Sequence, residues 1–535
     1  MNRTTANGIV AEQLAAGKDL STAMKSVFSN DIICPSLFPR ASCLDGEQLM
    51  ICHGMVQDMC DTPLIYSVPH SSVFGGWEPD SCTHDAMVTV EASMVYLVPV
   101  PGRLYSSSKP QPAATSVALQ DEKPSSRARR WTKRPLEEDA TVVDVIDERG
   151  AGEPLTSSSL GLSYPPVSPD LLCGCIAVVL GENCLNLNDV VTIWGFLVPS
   201  GTAVDDEFSS CRFERLPEGL VSRIVCVTCQ RGPLPLVDKP LLNRCSDMNV
   251  VLCSWLSQQV TEGDNLAAEL LAGHLASRVL LRTDCTPVGD LPILISSDRF
   301  GEAETVVSWA SSLRSIEPLV GCVTLKLGGK AGPALRGRKC PETNCIIPGA
   351  LQLPMGTHLI LHTPVPLEFE DDDLMTLLHQ QKVKFNFHYT TVSLDTDIRC
   401  LVLSGVALNL LHPSLRPSCN LCWMPQQKGP SHSTRECAAE IQRYLYFVRS
   451  LEVQFDDCVT KTDEILSMLV DAQAMRPEMF NDDPLIHNNS INGILSLARS
   501  LSLLRGSVQM EVGDVVKALE LERQRLERNA MRIEK

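Results

Sequence analysis

The apolar positions of this chain change their period part of the way along. Before residue 239 they gather in short runs rich in Val, Met and Tyr, bounded by Pro, Gly and Asp, and each run predicts a strand. The runs are LMICHGMVQDM at 49–59, MVTVEASMVYLVPV at 87–100, LLCGCIAVVL from Leu171, LNLNDVVTIWGFLVP at 185–199 and LVSRIVCVTC from Leu220. The first folded block is expected over residues 31–102. A turn at Asn188 and Asp189 should feed a curved strand whose close bend Gly195 permits.

From Lys239 the spacing turns helical. LAAELLAGHLASRVLL at 266–281 places Leu266, Leu270, Leu271 and Leu275 on one face. A buried strand, LPILISS, follows from Leu291, then a helical stretch through Trp309 and Leu313, then a strand, CVTLKLGG, from Cys322. GALQLPMGTHLILHT at 349–363 delivers another strand from a Pro-Met-Gly turn. The acidic run at 368–373 opens a helix through Met375 and Leu378, where acids favour the N-terminus. KFNFHYTTVSL from Lys384 and IRCLVLSG from Ile398 complete an alternating α/β pattern.

The last hundred or so residues read as helices packed together. Ile441, Tyr444, Leu445 and Val448 line a first, and Ile465, Leu466, Leu469 and Ala472 a second that stops at Pro477. Ile491, Ile494, Leu495, Ala498 and Leu501 line a third, closed by Gly506. A fourth begins near Asp514 and runs into ELERQRLERNAMRIEK, whose distal part should be a solvated helix.

Residues 103–169 break this pattern. They are dominated by Ser, Pro, Ala and charge, which cannot bury enough surface to offset ordering, so a disordered insertion is expected. Within it Arg127, Arg129, Arg130, Lys133 and Arg134 form a dense basic cluster, followed by Pro135 and the acids Glu137, Glu138 and Asp139. Import receptors read Lys and Arg in extended chain, which makes the cluster a nuclear-import candidate. A solvated linker of mixed charge is the plain alternative.

The resulting expectation is an α/β multi-domain chain. Residues 1–102 and 170–236 form the two parts of a split OB-like β-barrel, interrupted by the 103–169 linker. Residues 237–425 form a degenerate AAA+-like α/β domain, and 436–535 a C-terminal helical, lid-like bundle. OB barrels bind single strands by aromatic stacking over a basic groove. Trp194 and Phe196 supply aromatics here, but few Lys or Arg interleave with them, which favours an interaction or architectural barrel.

Composition narrows the function. A length of 535 residues predicts two or three domains, and 44% hydrophobic content with mean hydropathy +0.03 supports a folded chain. The net charge of −18 argues against a broad phosphate-gripping surface. The first residues show no apolar signal core, and no run is apolar and long enough to span a bilayer, so a soluble, intracellular chain is expected. The 22 cysteines then read mostly as reduced, buried thiols, such as Cys226 and Cys322 within apolar runs. Cys226 with Cys229, Cys419 with Cys422, and more loosely Cys340 with Cys345, are the thiolate pairs a zinc site would draw on.

No constellation for catalysis emerges. A phosphate-binding loop should follow LPILISS, with glycines baring N–H groups and then Lys and Ser or Thr. The chain instead has Asp298, Arg299, Phe300, Gly301 and Glu302 there, and the acids would repel phosphate. LGGKAGPALRGRK at 327–339 lacks the spacing and is interrupted by Pro333, so an exposed loop is expected. Many AAA+ ATPases end the strand corresponding to LILHT in two acids that hold magnesium, but His362 and Thr363 stand here, and they cannot replace carboxylates on a hard cation. His274 reads as a core or boundary histidine, and the 368–373 acids as a helix start.

Several segments together resemble one family, the minichromosome maintenance (MCM) complex-binding proteins. MVQDMCDTPLIY, VYLVPVPG and LNLNDVVTIWGFL look like its N-terminal signatures. EGDNLAAELLAGHLASRVLLRTDCTPVGDLPILIS, GALQLPMGTHLILHT and QQKVKFNFHYTTVSL look like its middle signatures, and ILSLARSLSLLRGSVQMEVGDVVKALELERQRLER its C-terminal helices. The family's opening strand usually ends in Asp-Glu, which this chain lacks. The resemblance implies a nuclear, non-enzymatic protein that binds subunits of the MCM replicative helicase. It also implies roles in MCM assembly and unloading during DNA replication and in sister chromatid cohesion, with chromatin met indirectly. No cofactor, metal or membrane contact is assigned, and the acidic charge disfavours direct nucleic-acid binding. Two rivals stay open: an OB-type single-strand-binding protein, which salt-dependent oligonucleotide affinity would reveal, and a weakly active P-loop-like ATPase, which magnesium-supported turnover would reveal.

Overall fold

The computed structural model describes residues 3–16, 50–59, 64–69, 87–101, 175–180, 185–197, 222–231, 244–283, 286–324, 335–339, 346–364, 372–387, 389–411, 417, 419–426, 435–451, 459–475 and 484–533. The basic cluster from Arg127 to Arg134, the rest of the 103–169 linker, and the Cys340–Cys345 pair lie outside them.

The strand-rich part begins with a helix that the apolar pattern did not announce, α1 (Arg3–Ala15), in which Ala6 and Val10 are buried. The strands β1 (Met50–Met59), β2 (Leu64–Pro69), β3 (Met87–Val98), β4 (Cys175–Leu180), β5 (Val190–Leu197) and β6 (Ser222–Arg231) then form one sheet. Its order is β1-β5-β6-β4-β3-β2, and β1 also pairs with β3, which closes five strands into a barrel and leaves β2 as a flap on β3. All pairings are antiparallel except β4 with β6. Closure removes the open edges that five short strands would otherwise expose.

Asn188 adopts φ 69° in the turn before β5, as its short polar side chain allows. Gly195 sits at a register shift between β5 and β6, where a Cβ would meet the Val225 carbonyl oxygen at 2.4 Å. Only glycine fits that approach. Val56, Val95, Leu97, Val191, Ile193 and Ile224 fill the interior together with three thiols, Cys52, Cys175 and Cys226.

The second unit starts with two helices, α2 (Cys245–Gln259) and α3 (Asn265–Ala276). Sequence periodicity missed α2 and overran α3, which ends at Ser277 so that Leu281 can enter a short hairpin of β7 (Leu281–Thr283) and β8 (Thr286–Val288). The helix α3 is also buried almost all round rather than on one face, because other elements cover it from several sides.

A parallel sheet forms the centre of this unit: β9 (Ile293–Ser296), β10 (Val320–Thr324), β13 (His358–Thr363), β16 (Arg399–Ser404) and β17 (Cys419–Cys422), in the order β10-β13-β16-β9-β17. The strands β9, β13 and β16 are buried along their whole length, which is why they read as continuous apolar runs. On the β10 edge, Cys322 is exposed, contrary to the buried thiol its apolar run suggested.

A smaller sheet packs beside it, formed by β11 (Gly337–Lys339), β12 (Ile346–Ile347), β14 (Lys382–Phe387) and β15 (Thr390–Asp395), in the order β12-β11-β14-β15. KFNFHYTTVSL is therefore a hairpin outside the central sheet, not a further α/β repeat. Part of the expected 327–339 loop is likewise a strand, held by Gly337, where a Cβ would meet the Phe385 ring at 2.8 Å. Two helices complete the unit, α4 (Ala303–Ile316) and α5 (Asp372–Gln380). In α5, Asp373 at the N-terminal turn pairs with Arg336 at 2.7 Å.

The remaining helices are α6 (Arg435–Ser450), α7 (Val459–Met475), α8 (Pro484–Leu504) and α9 (Val512–Ile533). They share one apolar core with α2, α3 and α4, so the helical end and the α/β unit are not separate in packing. The distal part of α9 is docked along one face rather than solvated all round, with Gln524, Glu527 and Ala530 left exposed. It lies against β17, where Arg525 donates to the Asn420 carbonyl at 2.6 Å and Arg528 grips Asp264 at 2.8 and 2.6 Å. Two of the charged residues that made this segment look solvated, Arg525 and Arg528, are the ones that dock it. The barrel joins the unit through the Ile346 N–H, which donates to Asp58 at 2.7 Å, and Gln352, which donates to the Gln57 carbonyl at 2.9 Å.

Candidate functional site at the carboxyl ends of the parallel sheet

In an open parallel sheet, ligands bind beyond the carboxyl ends of the strands where the connections diverge. Here that place lies between β9 and its neighbour β16. From β9 the chain leads to the β10 side, while β17 is added on the other side of β9. The residues at these ends are Ser296, His362, Thr363 and Ser404.

The chain after β9 packs closely over this place. After Ser296 the backbone makes a single 3-10 turn, Asp298–Gly301, before α4. The Ser297 N–H donates to the Ser404 carbonyl at 2.9 Å and the Phe300 N–H to the Ser297 carbonyl at 2.9 Å. Gly405 lies directly beneath, and a Cβ there would stand 2.6 Å from the nitrogen of Gly301 and 2.8 Å from its Cα. Backbone therefore packs on backbone between this turn and the residue after β16.

Side chains fix the turn from three directions. The Nε2 of His362 donates to the Phe300 carbonyl at 2.7 Å. Ser296 and Ser404 both donate from Oγ to the Val406 carbonyl, at 2.8 and 3.1 Å, which holds the chain after β16 in place. The Phe300 ring, fully buried, stacks on Trp423 with centroids 5.2 Å apart and meets Trp309 edge-on at 5.3 Å. Trp423 anchors this cluster by donating from Nε1 to the Thr261 carbonyl at 2.9 Å. Arg299 lies over the Trp423 ring at 5.6 Å and pairs with Glu262 at 2.8 Å.

Around this turn, Asp298, Glu302 and Glu304 are exposed, and Glu302 stands at the start of α4 without a side-chain cap bond. An approaching phosphate would meet carboxylates instead of a ring of free N–H groups. His362 and Thr363, singled out as replacements for magnesium-binding acids, are both buried, and the imidazole is spent on latching the turn.

A second polar cluster lies at the opposite, amino ends of the strands. His358, first residue of β13, and His274 of α3 face each other with Nε2 atoms 3.3 Å apart, and His274 Nδ1 lies 2.6 Å from the Leu291 carbonyl. Burial drives His274 down to about 4 and His358 well below its ordinary value, so both are neutral near pH 7. His274 is thus a satisfied core histidine. Beside them Glu317 accepts from Arg399 at 3.3 Å and pairs with Arg449 of α6 at 3.0 Å. Burial lowers Arg399 to about 10, against the pull of Glu317. Asp290 is raised to about 7, first by burial and then by Asp397. Sequence reasoning missed this cluster because its members come from six separate segments, each contributing only one or two unremarkable polar residues.

The thiol pairs are placed apart. Cys226 and Cys229 lie on β6 in the barrel, Cys419 and Cys422 on β17 of the parallel sheet. Cys52 and Cys175 approach to 3.5 Å inside the barrel. Among the described residues no group of His, Cys, Asp or Glu is arranged to hold a metal ion, and no helix is long and apolar enough to cross a membrane. Trp194 and Phe196, the barrel aromatics, are buried, so neither ring is presented for base stacking.

Comparison with known proteins gives this arrangement a family. The family described as Mini-chromosome maintenance replisome factor matches residues 152–529. A protein of Arabidopsis thaliana named Mini-chromosome maintenance complex-binding protein is 26% identical over 379 residues, covering 65% of this chain and 61% of its own length. Proteins of the same name from Rattus norvegicus and Homo sapiens are 25% and 24% identical, covering 71% and 70% of this chain and 66% and 65% of their own lengths. The chain thus matches just under two thirds of the length of these relatives. It belongs to the Mini-chromosome maintenance replisome factor family.

Proposed function

We propose that this chain is a non-catalytic binding protein of the MCM complex, built on an ATPase-like frame that has given up its nucleotide site. The close packing after β9 carries the reading. The turn at Asp298–Gly301, latched by His362 and seated on Gly405, occupies the space that phosphate chemistry requires. The relatives are named for binding the MCM complex, not for a reaction.

The architecture supports the finer parts of the proposal. The two strands picked out as those of a phosphate loop and an acid pair, β9 and β13, are parallel members of one sheet with β16 between them, as in an AAA+ core. Taken in chain order, the closed barrel strands β1, β3, β4, β5 and β6 run around the barrel as first, second, third, fifth and fourth, which suits an OB-like barrel. The helices α6 to α9 would then be the lid-like end. Barrel, ATPase-like core and lid in that order let the chain stand in for a helicase subunit and pack against true subunits. On the domain scheme above, the 103–169 linker interrupts the barrel and carries the import cluster Arg127, Arg129, Arg130, Lys133 and Arg134.

A nuclear location, action in MCM assembly and unloading during replication, and a part in sister chromatid cohesion belong to this proposal. Affinity capture of the tagged chain from nuclear extract, with partners identified by mass, tests it. MCM subunits should dominate the captured proteins, and a capture without them overturns the reading.

The oligonucleotide-binding alternative is disfavoured by the burial of Trp194 and Phe196 and by the charge of −18. The ATPase alternative is disfavoured by the close packing after β9.

A further inference from the structure

The strand β15 ends its sheet in an unusual condition. Thr390, Thr391, Val392, Ser393 and Asp395 are all exposed, and among the described residues β15 pairs with β14 alone. Edge strands in soluble proteins are normally guarded by a lysine, a proline, a bulge or a covering element. TTVSLD has no lysine and no proline, and its register with β14 runs unbroken from Thr390 to Asp395. The single charge, Asp395, sits at the end of the strand, 3.6 Å from Arg282 and 4.0 Å from Lys382. Thr390 to Leu394 is therefore a neutral, unbulged and β-prone edge whose outer side pairs with no other strand among the described residues.

The face pattern shows what fits there. Val383, Phe385 and Phe387 of β14 lie opposite Leu394, Val392 and Thr390, so these three β15 residues share the core-facing side. The core fades before it reaches the edge: Phe385 is 1% exposed and its cross-strand partner Val392 is 38% exposed. A further strand would continue the apolar face that Val392 leaves unfinished.

β15 is complementary to itself in the antiparallel sense. Opposed residues in an antiparallel pair share a face, so a register centred on Val392 keeps the apolar positions of both copies on one side. It sets Val392 against Val392, Thr390 against Leu394, Thr391 against Ser393 and Tyr389 against Asp395. No like charges oppose each other, and a two-fold axis closes the contact without leaving another open copy of it.

We propose that the chain self-associates through β15, two copies pairing antiparallel about Val392 so that their four-stranded sheets join into one. The assignment is independent of the MCM reading, since it rests on the edge and its register alone.

Sedimentation velocity of the full chain across micromolar concentrations tests it. The wild type should shift from monomer to dimer as concentration rises. Val392→Lys sets two cations face to face on the axis and should stay monomeric throughout, as should Val392→Glu, while an equimolar mixture of the two should recover the dimer. Circular dichroism matched to wild type shows that each variant is folded. A wild type that stays monomeric overturns the proposal and leaves the edge to an extended segment of another protein. A dimer that survives Val392→Lys, or variants whose mixture stays monomeric, overturns it as well.

Discussion

The imidazole of His362 donates from Nε2 to the main-chain carbonyl of Phe300 across 2.7 Å, and both residues are buried. That bond ties the end of β13 to the turn after β9, the two places where the proposed ATPase-like frame would keep acids and a phosphate loop. His362→Ala leaves the carbonyl unpaired in a dry site and should cost about 1–3 kcal/mol of stability. Restoring acids through His362→Asp with Thr363→Glu should produce no magnesium-dependent ATP turnover, because the turn still offers no phosphate cradle. Phosphate release above the wild-type baseline would contradict this.

Trp423 carries more of the turn's stability than its place in a short edge strand's exit suggests. It stacks on Phe300, meets Trp309 edge-on and donates to Thr261. Trp423→Ala should destabilise the chain by about 3–5 kcal/mol, read as a lower urea midpoint. A midpoint unchanged from wild type would mean that the aromatic cluster does not hold the turn.

Glu317 neutralises two arginines at the amino ends of the sheet, Arg399 and Arg449. Removing its charge with Glu317→Gln leaves both guanidinium groups without their carboxylate while keeping the volume. A buried pair broken on one side typically costs about 3–5 kcal/mol, and that loss should appear in chemical denaturation. Faster hydrogen exchange should accompany it at the end of α6, where the Leu451 N–H donates to the Val448 carbonyl at 3.4 Å, since α6 is tied to the sheet through Arg449. A cost below about 1 kcal/mol, as for a surface pair, would refute the assignment.

Two groups at this cluster impose opposite pH dependence. The folded state holds the Asp290 proton up to about pH 7 against an ordinary 3.8, so this group's contribution to stability falls as pH rises through that window. His274 is held neutral down to about pH 4 against an ordinary 6.5, so its contribution is lost as pH falls from 6.5 towards 4. The two act in opposite senses in the wild type, with His358 adding to the histidine side and Asp397 to the carboxylate side. Asp290→Asn should remove the first and expose the second. The variant should be more stable than wild type above pH 7 and should lose stability more steeply on acidification, as read from melting temperature against pH. Parallel profiles would show that Asp290 ionises normally.

Much of the fold was legible because burial and period agree. LPILISS and LILHT read as strands since each is buried on both sides, and Ile441 to Val448 read as a helix since one stripe faces the core. α2 was missed because CSDMNVVLCSWLSQQ leaves Val250 and Val251 exposed and blurs its periodicity. The end of α9 was misjudged because arginines that dock onto Asn420 and Asp264 look like solvated ones until the partner segments are in place.

The site divides in the same way. The absence of acids at His362 and Thr363, and of a phosphate loop after Ser296, was visible in the residues themselves. What occupies those places was not, because Gly405, Phe300, Trp309 and Trp423 meet only through long-range packing. Glycine after the strand IRCLVLS was the one local hint that two backbones approach closely there.

The central claim is that this chain binds MCM subunits without using a nucleotide site of its own. Size-exclusion chromatography of the purified chain mixed with purified MCM subunits, in buffer free of nucleotide, tests it most directly. A peak containing both proteins in fixed proportion, at a mass above either alone, is the expected result. Separate elution from every MCM subunit would contradict it.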